Sequence, residues 1–101
     1  MMDLKTNRNE STLTITLSGR LDTSTAPELE RAVEENLPGV TELIFDLADL
    51  TYTSSAGLRV FLKSQKAMSR VGEMKLINVC EAIMEIFELT GFTDILQIEE
   101  A

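Results

Sequence analysis

Apolar and polar residues alternate with a period of two through Thr12-Leu13-Thr14-Ile15-Thr16-Leu17, and a shorter run over residues 4–7 precedes them across an Asn-Glu-Ser turn. The pattern predicts a strand pair whose second member turns Leu13, Ile15 and Leu17 to the core. The period then changes. Leu29, Ala32, Val33 and Leu37 recur at helical spacing, with Glu30, Arg31, Glu34 and Glu35 on the other face. Thr25 is placed to cap this helix, Pro27 has no amide hydrogen to waste in the first turn, and Glu28 follows Thr25 at the spacing of a capping box. The Pro38-Gly39 pair predicts its end.

Thr41-Glu42-Leu43-Ile44-Phe45-Asp46-Leu47 shows too little alternation for a half-exposed strand, so a central strand covered on both faces is expected. A second helix is predicted to begin at the hydroxyl run Thr53-Ser54-Ser55 and to reach Met68, because Leu58, Phe61, Leu62, Gln65 and Met68 form one stripe. Residues 74–79 read as a short strand. Residues 82–89 read as a third helix with Ile83, Ile86 and Phe87 inward and Gly91 at its end, and residues 95–98 as a last strand. Strand and helix thus alternate after an initial hairpin. That order predicts an α/β fold: a mixed sheet whose later strands are joined by helical crossovers.

The length of 101 residues suits one domain over residues 1–101 with a single core. With 9 basic against 17 acidic residues the net charge is −8, which opposes nucleic-acid backbones and anionic membrane surfaces and leaves a basic protein partner open. Histidine is absent and Cys80 is the lone cysteine. A histidine-based triad, a Cys/His metal cluster and an internal disulfide are therefore excluded. No apolar run approaches the roughly 18 residues of a membrane span, and the opening Met1-Met2-Asp3-Leu4-Lys5-Thr6 lacks a signal peptide's apolar core, so a cytoplasmic protein without membrane insertion is expected.

The chemistry of interest concentrates in Thr53-Ser54-Ser55. One explanation is capping: a serine oxygen accepts an amide hydrogen of the first turn, stabilising the helix by about 1 kcal/mol. The other is that a phosphoryl group placed there meets unpaired amides and the positive end of the helix dipole, so a phosphoserine is tolerated without unfolding. Its added charge would then repel a partner that docks on the spot. Gly57 admits two readings as well, tight packing of the helix on its own sheet or close approach by another chain. Serine catalysis lacks both Gly-x-Ser-x-Gly and a base, and Asp22, Asp46 and Asp49 lack the phosphate-binding loop that accompanies magnesium sites. A non-enzyme without a cofactor is expected.

Leu17-Ser18-Gly19-Arg20-Leu21-Asp22, Leu43-Ile44-Phe45-Asp46-Leu47, Tyr52-Thr53-Ser54-Ser55-Ala56-Gly57-Leu58 and Ile86-Phe87-Glu88-Leu89-Thr90-Gly91-Phe92 are individually weak motifs. In this order and spacing they resemble the STAS domain over nearly the whole chain, and within it the free-standing anti-sigma factor antagonists of bacterial partner-switching systems. The resemblance implies a four- to five-stranded mixed sheet with helices mainly over one face. It also implies a serine at the start of the second helix that a partner kinase phosphorylates. Alignment on Gly57-Leu58 puts that acceptor on Ser55, with Ser54 second and Thr53 close by. The family often has Asp-Ser-Ser-Gly or Asp-Ser-Thr-Gly there, so in Ser54-Ser55-Ala56-Gly57 a serine replaces the acid and an alanine a hydroxyl.

By the same resemblance, the unphosphorylated antagonist binds an anti-sigma factor that is itself an ATP-dependent serine/threonine kinase and so releases a sigma factor. Phosphorylation ends the binding and a PP2C-type phosphatase restores it, ATP and Mg²⁺ belonging to the kinase. The implied partner surface comprises Asp22, Thr53, Ser54, Ser55, Ala56, Gly57 and Arg59, where Asp22 orients the acceptor or helps position the kinase's phosphate-bound magnesium, or else only ties its own loop. The competing expectation is a non-switching STAS subunit of a transport or signalling assembly, in which the serines merely cap the helix.

Overall fold

The computed structural model describes residues 2–101. Strands β1 (Met2–Asn9) and β2 (Thr12–Leu21) form the hairpin, followed by α1 (Ala26–Asn36), β3 (Glu42–Thr53), α2 (Ser55–Met68), β4 (Glu73–Val79), α3 (Glu81–Thr90), a 3-10 turn over Phe92–Asp94 and β5 (Gln97–Glu100). The five strands lie in the order β1-β2-β3-β4-β5. Only β1 and β2 are antiparallel; every later neighbour is parallel and reached by a helical crossover.

Register places the apolar positions in rows across the sheet. Ile15 lies beside Phe45, Phe45 beside Leu76 and Leu76 beside Ile98. Leu13, Ile15, Leu17, Leu43, Phe45, Leu47 and Leu76 are all fully buried beneath the helices. Each such side chain contributes about 1.5–3 kcal/mol by leaving water. Phe61 of α2 meets Phe45 edge-on at 5.0 Å and Phe87 of α3 at 6.2 Å, so one aromatic chain ties two helices to the central strand.

Three expectations need correction. β3 is central, but it is not covered on both faces. Its back-face positions are Glu42, Ile44 and Asp46, all half-buried, and register sets Ile44 between Thr14 and Lys75. The run that looked continuously apolar alternates after all, with Ile44 its one apolar back-face residue. Second, the capping box at α1 does not form. Thr25 occupies the cap position, yet its Oγ1 accepts the Asp22 amide at 2.8 Å and donates to the Arg20 carbonyl at 3.0 Å instead of serving the first turn. Third, β5 begins two residues later than expected, because the 3-10 turn after Gly91 takes up chain there.

The other end of α1 has no basic residue in its last turn. Arg8 supplies the missing cation from β1, donating from Nη1 to the Pro38 carbonyl at 2.9 Å and from Nε to the Glu10 carbonyl at 2.9 Å. This contact joins the hairpin to the α1–β3 connection, opposite the end at which β2 and β3 both finish.

Candidate functional site

β2 and β3 run parallel and end together, Leu21 lying in register with Thr53. Their following segments, the turn before α1 and the start of α2, therefore meet at the C-terminal edge of the parallel strands, where open α/β sheets place their sites. The Ser54 amide donates to the Leu21 carbonyl at 2.8 Å, anchoring the entrance of α2 to the end of β2.

This anchor gives the three consecutive hydroxyls three different environments. Thr53 is 3% exposed and its Oγ1 donates to the Ser54 carbonyl at 3.2 Å. Ser54 is the cap residue by position, in extended backbone, but its Oγ makes no capping bond and is buried without a partner among the described residues. Ser55, the first residue of the helix, is exposed. The capping explanation thus fails at Ser54, and of the three residues Ser55 is the exposed one.

Gly57 and Leu58 are buried. A Cβ on Gly57 would lie 2.6 Å from Leu21 Cγ and would also collide with Thr53 Oγ1. Of the two readings of Gly57, packing of α2 on its own sheet is the one this geometry fits. Thr53 and Gly57 accordingly leave the expected partner surface: both are enclosed, and they set the position of Ser55 from beneath. Ala56 is half-buried and Arg59 is exposed one turn beyond Ser55, so these two and Ser55 border solvent.

Asp22 is half-buried in the neighbouring turn. Its Oδ1 accepts from Ser24 Oγ at 2.8 Å, the Ser24 amide at 3.0 Å and the Thr25 amide at 3.1 Å. The Ser24 hydroxyl and these amides hold its carboxyl below the usual range, against partial desolvation that pushes the other way. None of its hydrogen bonds reaches Ser54 or Ser55, so within this structure Asp22 ties its own loop. Asp46 and Asp49 are not gathered with it: Asp46 Oδ1 accepts from Asn78 Nδ2 at 3.1 Å and from the Ala48 amide at 3.2 Å.

One neighbouring pair escaped sequence reasoning. Arg20 places its guanidinium over the Tyr52 ring, 4.2 Å from the centroid, on the strand pair just before the site. Only the register of β2 on β3, with Arg20 beside Tyr52, brings them together.

A family model described as the STAS domain matches residues 3–101. The chain belongs to the STAS domain family. Among curated relatives of this STAS chain, the anti-sigma-B factor antagonist of Bacillus subtilis is 31% identical over 98 residues, covering 96% of this chain and 88% of the relative. That of Listeria monocytogenes is 32% identical over 95 residues, covering 91% and 82%. Among solved structures, an anti-sigma factor antagonist from Mycobacterium paratuberculosis superimposes with a TM-score of 0.90 at 19% identity, over 100% of this chain and 87% of its own. The Bacillus cell fate determinant SpoIIAA, solved in its phosphorylated form, gives a TM-score of 0.76 at 19% identity, over 95% of this chain and 90% of its own. These likenesses show a five-stranded STAS fold of the expected kind.

Proposed function

We propose that this chain is an anti-sigma factor antagonist of a bacterial partner-switching system, switched by phosphorylation of Ser55. The observation that carries the reading is the exposed Ser55 hydroxyl at the first turn of α2, flanked by the enclosed Thr53, the buried Ser54 oxygen and Gly57. The names of the relatives support the antagonist role, and the phosphorylated form of SpoIIAA supports a phosphoprotein of this fold.

The chain works in the cytoplasm, and its partners are an anti-sigma factor serine/threonine kinase and a PP2C-type phosphatase. The chain acts by binding and supplies no catalytic group; ATP and Mg²⁺ arrive with the kinase. A phosphate on Ser55 adds roughly −1.5 to −2 charges at a helix N-terminus that accommodates them, so the fold survives while a docked protein is repelled.

The test is incubation of the chain with its cognate kinase and ATP, followed by peptide mass spectrometry. One phosphate on Ser55 is expected, with loss of kinase binding. Phosphate on Ser54 with Ser55 bare would move the switch by one residue. A chain left unmodified and bound by no kinase would instead favour a non-switching STAS subunit.

A further inference from the structure

Helix α2 carries Arg59, Lys63 and Lys66 on its exposed face, four and then three residues apart, and no acidic residue occurs anywhere in Ser55–Met68. This is unusual in a chain of net charge −8. The stripe continues the line of Ser55, which lies four residues before Arg59. It forms one bank of a groove of about 450 Å³ between α1 and α2, lined by Thr23, Pro27, Glu30 and Ala56 besides these cations.

The acidic bank of that groove is already matched. Lys63 Nζ lies 2.9 Å from Glu30 Oε2 and 3.8 Å from Glu34 Oε1, and this pairing raises its pKa, the Glu30 hydrogen bond first. Arg59 and Lys66, on either side of it, make no ion pair among the described residues. Two unmatched cations thus flank a matched one along a groove whose α2 lining begins at Ala56, the residue after Ser55.

We propose that this ridge docks an acidic segment of the protein partner, with Arg59 and Lys66 as the contacts that recognise it. The inference rests on the antagonist reading and names the chemistry of the partner's surface. The overall negative charge does not prevent such docking, because at physiological salt charges beyond about 8 Å are largely screened and the ridge governs the local field. The same placement says how a phosphate on Ser55 acts. Four residues from Arg59 on one helix face, it pairs with that guanidinium and turns the upper end of the ridge from positive to negative. An acidic segment then loses a contact and gains a repulsion.

Calorimetric titration of the unphosphorylated full chain with its cognate anti-sigma kinase tests this. Affinity is expected to fall at least about tenfold between about 50 mM and about 300 mM sodium chloride. Lys66→Glu should weaken binding about tenfold at the lower salt and flatten the salt dependence, and the milder Lys66→Gln about threefold, while Lys5→Glu on the distant β1 binds as the parent does. A kinase that phosphorylates Ser55 and binds Lys66→Glu as tightly as the parent overturns the inference and leaves the antagonist reading standing. A kinase that neither binds nor phosphorylates the parent overturns both. Parent chain that binds phosphatidylserine vesicles, with Lys66→Glu failing to do so, makes the ridge a lipid-facing surface and overturns the acidic-protein partner.

Discussion

The amide of Ser54 donates a 2.8 Å hydrogen bond to the carbonyl of Leu21, and through it the first turn of α2 is positioned by the strand that precedes α1. Two segments more than thirty residues apart in the chain thereby become one surface, with the Asp22 turn on one side and Ser55 on the other. The enclosed Leu21 side chain completes the joint by filling the space above Gly57.

Gly57→Ala tests that joint. Alanine gains up to about 1 kcal/mol of helix propensity, but its methyl would enter space held by Leu21 and Thr53, both enclosed, at an overpacking cost of about 1–3 kcal/mol. A net loss of about 1–2 kcal/mol is expected from urea unfolding. A higher unfolding midpoint for the variant would show that the joint is looser than described.

Charge at Ser55 is predicted to act on binding and not on folding. Ser55→Asp should weaken the kinase complex by about 1–3 kcal/mol in calorimetry, since an uncompensated charge at a docked interface is costly. Its thermal midpoint should be no lower than that of the parent, because an acid at the first turn of a helix is favourable. Ser55→Ala should bind the kinase and resist release by ATP.

The Asp22 turn predicts a pH dependence of definite sign. Its carboxyl titrates below the usual range in the folded chain, mainly through the Ser24 hydroxyl, so the unfolded state binds the proton more readily. The contribution is fully present above the unfolded value of about 3.9 and is lost as pH falls through the lower folded value. Unfolding free energies of the parent and Asp22→Asn, measured from about pH 6 down to about pH 3, should therefore converge at the acid end. A constant difference would mean that Asp22 does not titrate as its hydrogen bonds require.

Phe61→Ala addresses the core beneath the site. The ring is fully buried between Phe45 and Phe87, and its removal should cost about 3–5 kcal/mol. Against a typical domain stability of about 5–15 kcal/mol, this should lower the thermal midpoint by more than any other substitution considered. A small change would indicate that α2 and α3 pack independently of this aromatic chain.

The periodicities of the chain were sufficient for much of this fold. The alternation of Leu13, Ile15 and Leu17 and the helical spacing of Leu58, Phe61 and Met68 are local patterns whose burial follows from the geometry of a strand and a helix, and all six residues are buried. Helix termini were less legible. Thr25 and Ser54 both sit where a cap belongs, but a hydroxyl can bond in several directions, and the adjoining strand end claimed Thr25 while enclosing Ser54. The face of β3 left open was misjudged for a related reason, since a short apolar run does not say how many layers will cover it.

Sequence alone thus determined that an α/β chain without histidine carries a run of hydroxyls before an amphipathic helix, and the family resemblance selected Ser55 among them. Tertiary structure decided which hydroxyl meets solvent, that Thr53 and Gly57 lie within, and that Arg20 covers Tyr52. The physical reason is that a side chain's type and spacing are local properties. Its exposure and partners depend on strand register and helix docking, which bring together residues that the chain keeps far apart.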